Sequence, residues 1–394
     1  MLSQSSCCCA SCRFNNFIRM QNMKHTLLVT LLALGGISAA SAAEVVKIGF
    51  IGPLTGPDAH WGKDNQNCAQ LAVDTLNRSA LRINGQPVQF ELVSQDDQED
   101  PKQSTLAAQK LLDEEVKAVV GPFTSGTTIP AARIINQAGL PQFSVAVNAT
   151  YTNQGYGNAF RLSAVDTRMG PAIAQYALSE LKAKRIAMID DRTAYSQGLA
   201  DKFEAEAKRL GAQVIRREYT TPGQNNFSPI LTTIRAAKPD LLFVAMSDSQ
   251  AAPLALQMKQ LGLSTKVLSG DMIQTDNFIK LSGSNSEGFM AAVAGNVLEK
   301  RSQGQDFIKR YQAKYGKPPL SYGPQHYDAV MLVAKAMQQA NSTEPGKVTA
   351  ALKKISYEGV NASYRFDSRG DLIQAPITVY QVRQAKWAPV KVTF

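Results

Sequence analysis

The chain has 394 residues, 44% of them hydrophobic, and a formal net charge of +10. That length and apolar share suit two ordinary globular domains with sizeable cores. The basic excess forms no dense cluster interleaved with aromatics, which argues against nucleic acid as a partner.

From Met23 the chain reads Met-Lys-His, then an apolar stretch from Leu27 to Ile37, then small residues ending Ser41-Ala42-Ala43. A positive start, an apolar run too short to span a bilayer and a small-residue end make the pattern of a cleaved export signal. We expect residues 1–43 to be removed as an upstream extension and signal peptide, leaving Glu44 at or next to the new terminus. Met20 and Met23 compete with Met1 as initiator. Cys7, Cys8, Cys9 and Cys12 would leave with that segment, so Cys68 remains alone and no disulfide is expected. Its apolar helical position reads as a small buried hydrophobe. Taking 43 residues from 394 leaves 351, and losing Arg13, Arg19 and Lys24 leaves 39 basic against 32 acidic residues, a net charge of +7.

Strand and helix patterns then alternate. Val45–Ile51 is a β-branched run, followed by a helix from Trp61 to Arg78, a strand over Val88–Val93 and a helix opening at Pro101. Val116–Val120, a helix over Ser125–Ala138 and a strand around Phe143 follow. A second run begins with Arg185–Ile189 and Tyr195–Leu210, then Gln213–Tyr219 and Phe227–Ala237. It continues through Leu241–Met246, Ala251–Leu261 and Val267–Ser269. Strict alternation implies parallel sheets flanked by helices, and two runs imply two doubly wound α/β lobes. Asn158–Ser163 and Gly288–Ala294 are the expected crossings between them. Asp306–Tyr315 and His326–Ala340 should return to the first lobe, while Ile377–Val382 and Val390–Phe394 close on the second. The expected lobes are therefore 44–160 with 294–370, and 161–293 with 371–394, joined by a hinge with several crossovers.

In such sheets ligands sit beyond the carboxyl ends of strands. After Val120 comes Gly121-Pro122-Phe123-Thr124-Ser125-Gly126-Thr127-Thr128 at a helix start, where free amides and a hydroxyl suit a carboxylate. Ser125 or Thr127 serving simply as an N-cap is the competing reading. Ala146 and Asn148, in the loop after Phe143, supply a backbone amide and a side-chain amide nearby. Tyr195 opens a helix past the next strand and is either a cleft aromatic or a lobe-surface one. Asp271 follows Gly270 at a strand end, where an acid suits an ammonium, although surface turns use the same pair. Carboxylate and ammonium partners together describe a site for a free amino acid. Catalysis fares worse: His60 and His326 lack spaced metal partners, and phosphate-loop, nucleophile-elbow and dinucleotide motifs are absent. No catalytic residue, metal or cofactor is expected.

The run from Val46-Lys47-Ile48-Gly49 through Gly52-Pro53-Leu54-Thr55-Gly56-Pro57 opens a series of ordered motifs. Asp96-Asp97-Gln98-Glu99-Asp100-Pro101-Lys102-Gln103, Val119-Val120-Gly121-Pro122 and Tyr195-Ser196-Gln197-Gly198 continue it. Phe366-Asp367-Ser368-Arg369-Gly370-Asp371 completes it. In this order they resemble the periplasmic leucine/isoleucine/valine-binding protein family, the solute receptors of branched-chain amino acid ABC transporters, over essentially the whole chain beyond residue 43. The resemblance implies a type I periplasmic binding fold, a periplasmic monomer, and an inner-membrane permease as partner. It implies Ser125 for the ligand carboxylate, with Ala146 and Asn148 beside it, and Tyr195 from the second lobe. Asp271 falls where the family has a glutamate for the ammonium, and Trp61 and Tyr322 match aromatic walls of the side-chain pocket. Asn148 replaces a threonine, Asp271 is one methylene short, and Glu99 and Thr124 stand where some members carry a disulfide. The expected ligand is a small amino acid, branched-chain first. The alternatives are another solute on the same fold, such as an amide or aromatic acid, or a hydrolase using Ser125.

Overall fold

The computed structural model describes residues 43–393. The export-signal reading, its four cysteines and the competing initiators lie outside them. Six strands build the first sheet: β1 (Glu44–Gly52), β2 (Arg82–Ile83), β3 (Gln86–Asp96), β4 (Ala118–Val120), β5 (Gln142–Ser144) and β6 (Ala159–Arg161). Their order is β2-β3-β1-β4-β5-β6. All pairs are parallel except the β2–β3 hairpin, which turns at Asn84-Gly85 with φ of 50° and 72°. Val46, Ile48, Phe50 and Ile51 bury both faces of β1, as a central parallel strand requires.

Helices α1 (Ala59–Arg78), α2 (Pro101–Asp113), α3 (Ser125–Gln137) and the short α4 (Thr150–Asn153) connect these strands. The start of α2 is written locally: Asp100 accepts from the amides of Lys102 and Gln103, both at 2.8 Å, and Pro101 takes the first turn. Helix α5 (Asp166–Ser179) leads into the second lobe.

There β7 (Arg185–Asp190), α6 (Ala194–Arg209), β8 (Gln213–Tyr219), α7 (Ser228–Ala237) and β9 (Leu241–Ala245) follow in turn. Next come α8 (Asp248–Gln260), β10 (Lys266–Ser269), α9 (Asp276–Ser282) and β11 (Met290–Ala294). Helices α10 (Ser302–Tyr315), α11 (Gly323–Ala340) and α12 (Pro345–Leu352) come after; α10 and α11 pack on α1 and so extend the first lobe. A two-stranded hairpin, β12 (Tyr357–Glu358) and β13 (Ser363–Tyr364), precedes β14 (Ile377–Arg383) and β15 (Lys386–Thr393). The second sheet runs β15-β14-β11-β10-β9-β7-β8, with β14 antiparallel to β11 and β15 antiparallel to β14.

Both segments expected to cross between lobes hold strands instead, β6 and β11. They are short, and Met290-Ala-Ala-Val-Ala294 is buried throughout, so neither shows the alternation that marks a half-buried strand. The chain crosses just after each. Helix α5 also escapes a sequence reading because Gly170 and Pro171 interrupt its pattern. Cys68 is buried, as expected, and its thiol pairs with no cysteine among the described residues.

Candidate functional site

The carboxyl ends of β1, β4 and β5 face those of β7 and β10 across the interlobe cleft. Gly121 makes the first approach possible: its φ is +106°, and a Cβ there would sit 2.0 Å from the Ile51 carbonyl oxygen. The chain then enters α3, whose N-cap, Thr124, makes no side-chain capping bond; its hydroxyl pairs with Thr127 Oγ1 at 3.1 Å. Neither Ser125 nor Thr127 caps this helix, so its leading amides are left for an anion. Ser125 is buried, and its Oγ accepts from the Asn148 amide at 3.2 Å.

The loop after β5 is braced from below. Ser144 Oγ accepts from the Ala146 amide at 3.0 Å, and Arg161 donates to the Ala146 carbonyl. Arg161 is itself buried against Asp371, Nε to Oδ1 at 2.7 Å, and reaches Thr152 Oγ1 at 2.8 Å. The Asn148 side chain crosses the cleft: Nδ2 donates to the Ala194 carbonyl at 2.7 Å, while Oδ1 accepts from the Thr150 amide at 2.9 Å. A Cβ on Gly198 would come within 2.5 Å of that Nδ2, so glycine permits this interlobe contact.

Tyr195, the second residue of α6, donates its hydroxyl to Asp271 Oδ1 at 2.6 Å. Asp271 opens a single 3-10 turn after β10 and is fully buried; its Oδ2 has no hydrogen-bond partner among the described residues. Burial raises this carboxyl to about 6, and the Tyr195 hydroxyl only partly opposes the rise. A buried carboxylate with one empty oxygen is a seat for a cation.

Trp61, in the first turn of α1, stacks on Phe123 at 5.6 Å between centroids and tilts against Tyr322 at 5.8 Å. Phe123 meets Tyr322 edge-on at 5.5 Å, so three rings form one aromatic wall.

A cavity at the cleft is lined by Phe123, Ser125, Ala146, Tyr195, Met272 and Tyr322, among others. Its free space of about 10 Å³ holds roughly one water. Four sequence-predicted residues, Ser125, Ala146, Tyr195 and Tyr322, thus line one space. The other three stand behind it: Asn148 through Ser125, Asp271 through Tyr195, and Trp61 through Phe123 and Tyr322. A ligand enters only when the lobes part. A larger groove on the second lobe, among Leu181, Met258 and Gln381, holds none of these residues.

Phe123, Met272 and Arg161 were missed. Phe123 and Met272 are direct neighbours of the motifs around Ser125 and Asp271, which was the available signal. Arg161 is a charge inside a buried strand, and nothing in its local sequence points to Asp371.

A family model described as periplasmic binding protein matches residues 45–386. The Leu/Ile/Val-binding protein homolog 1 of Brucella abortus is 32% identical over 346 residues, 87% of this chain and 91% of its own. A leucine binding protein of Thermotoga maritima superposes with a TM-score of 0.82 at 26% identity, covering 88% of this chain and 98% of its own. The branched-chain amino acid transporter substrate binding protein of Streptococcus pneumoniae, solved with isoleucine, gives 0.81 at 26% identity, covering 89% and 99%. With its two doubly wound lobes and a cleft between them, the chain belongs to the periplasmic binding protein family.

Proposed function

We propose that the protein captures a small α-amino acid, a branched-chain one first, in the periplasm and delivers it to an inner-membrane ABC transporter permease. The observation that carries the reading is the empty, buried Oδ2 of Asp271, across the cleft from the uncapped start of α3. The ligand carboxylate docks on Ser125 Oγ and the α3 amides, with the loop through Ala146 and Asn148 closing on it. Its ammonium pairs with Asp271 beside the Tyr195 hydroxyl. The side chain rests on Phe123, Tyr322 and Met272, with Trp61 behind. Binding closes the lobes, and the closed form, a monomer with lobes 44–160 plus 294–370 and 161–293 plus 371–394, meets the permease. The export signal at residues 1–43 accounts for the location.

A ligand carrying only a carboxylate would leave Asp271 buried and unpaired, which disfavours a simple aromatic acid. A hydrolase built on Ser125 would need a base. His60 is held by Asp248, and buried His326, lowered to about 3 by desolvation, donates to the Tyr322 carbonyl. Calorimetry with leucine, isoleucine, valine, phenylalanine, an aliphatic amide and benzoate tests the reading. Tightest binding by a branched-chain amino acid is expected; benzoate or the amide binding best would reject it.

A further inference from the structure

Away from the ligand cavity, the lobes meet at a second polar contact. His60, in the first turn of α1, donates from Nε2 to Asp248 Oδ2 at 2.8 Å; Asp248 is the first residue of α8 in the other lobe. The same oxygen accepts from Thr275 Oγ1 at 2.6 Å and Asn277 Nδ2 at 3.2 Å, while Oδ1 of Asp248 has no partner. Asp58, from the loop after β1, lies beside Glu99 and Ser249 of α8, and its Oδ1 is also buried without a donor. Donor atoms of Asp58, His60 and Asp248 lie within 4.8 Å of one another. With three donors already on Asp248 Oδ2, the arrangement is a hydrogen-bonded bridge.

We propose that His60 and Asp248, with Asp58 and Glu99, form a latch that holds the lobes closed over the ligand, and that closing it takes up a proton. The charge balance requires it. Closure carries the Asp248 carboxylate from open solvent to the side of Asp58 and Glu99, with Asp97 and Asp191 near Glu99 and Asp64 behind His60. His60 is the basic side chain that meets Asp248; Lys317 lies on the far side, near Asp64. Burial by itself would lower the His60 imidazole, but the hydrogen bond and charge of Asp248, with Asp58 adding to them, outweigh it and raise it. Burial and the Asp248 charge raise Asp58, and burial with the Asp58 charge pushes Glu99 to about 9. Asp58 and Glu99 sit on the same lobe, so their mutual rise persists when the lobes part; the shift tied to closure is that of His60. When the lobes part, His60 loses Asp248 and returns toward its ordinary value of about 6.5. The closed state therefore binds more protons, and closure weakens as pH rises above about 6.5. His60 and Asp248 touch no part of the proposed ligand; they act by position.

The inference rests on the receptor reading, and the experiment separates the two. Leucine is titrated into the full protein by calorimetry from about pH 6.5 to about pH 8.5, in buffers of low and high ionisation enthalpy. For the wild type we expect affinity to fall by about threefold to tenfold over that range, with uptake of at least about 0.2 proton per leucine. His60→Gln and Asp248→Asn should bind more weakly, show no such slope and take up almost no proton. Asp248→Asn keeps the shape of the contact should His60→Gln fold poorly. Equal slopes and uptake in both variants would overturn the latch. So would a wild-type affinity that changes with EDTA or added zinc, which would give the cluster to a cation. If no compound in the panel binds, the receptor reading fails first. The latch is then read from small-angle scattering of the ligand-free protein, as compaction at low pH that His60→Gln abolishes; its absence in wild type rejects it.

Discussion

Asp271 is buried with one oxygen on the Tyr195 hydroxyl and the other on nothing, so the ligand-free fold holds a charge that it does not neutralise. Its folded value of about 6 lies above the ordinary carboxylate range. A raised acid favours folding only where it is protonated; stability is lost as pH climbs from about 4 through about 6. Asp271→Asn keeps the Tyr195 contact and removes the charge. We expect it to stabilise the ligand-free protein at pH 7 by about 1–3 kcal/mol, a Tm rise of a few degrees that vanishes near pH 4. The same change should weaken amino-acid binding by about 2–5 kcal/mol, at least about thirtyfold. Thermal unfolding against pH, with calorimetry, checks both signs; a variant less stable at pH 7 yet binding normally would remove Asp271 from the site.

The start of α1 has two tasks, since it positions His60 at the lobe contact and Trp61 against Phe123 and Tyr322. Trp61 is fully buried and its Nε1 finds no partner, so its value lies in packing. Trp61→Ala should cost about 3–5 kcal/mol of stability. It also frees Phe123 to move back, which should shift relative preference from valine toward phenylalanine by about tenfold. Competition binding at a temperature where both proteins are folded measures the shift; an unchanged ranking would make the indole purely structural. Elements with strong local signals were legible from sequence: the β-branched β1, α2 with its Asp100-Pro101 start, and the helix entries at Ser125 and Tyr195. What stayed hidden was settled by distant partners. The short strand β6 is fixed by its pairing with β5, and β11 by lying between β10 and the antiparallel β14, while the His60–Asp248 contact joins residues 188 apart in sequence. Spacing rules see neither. Ser125, Ala146, Asn148, Tyr195 and Asp271 were legible because each sits just past a strand end, where chain order is enough, whereas Trp61 and Tyr322 came from the resemblance.

At the scale of the whole molecule, Arg161 ties together parts that would otherwise move separately. It is the last residue of β6; its amide donates to the Gly370 carbonyl at 2.8 Å, and its side chain joins Asp371, Thr152 and the Ala146 carbonyl. The loop through Ala146 and Asn148 is thereby fixed to the first lobe and to the final crossing, whatever the second lobe does. On the proposed reading the seat for the ligand's carboxylate is therefore built before the ligand arrives, whereas Tyr195 and Asp271 travel with the other lobe. This divides the kinetics. If encounter takes place on the open first lobe, as this reading requires, Ser125→Ala should act on the association rate as well as on dissociation. Tyr195→Phe, which meets the ligand only after closure, should leave association within about twofold and speed dissociation by tenfold or more. Stopped-flow fluorescence with leucine separates them, and a Tyr195→Phe variant slowed mainly in association would reverse the order. On the proposed reading, residence time is then set chiefly by the contacts that form on closure, and release waits on the departure of the second lobe.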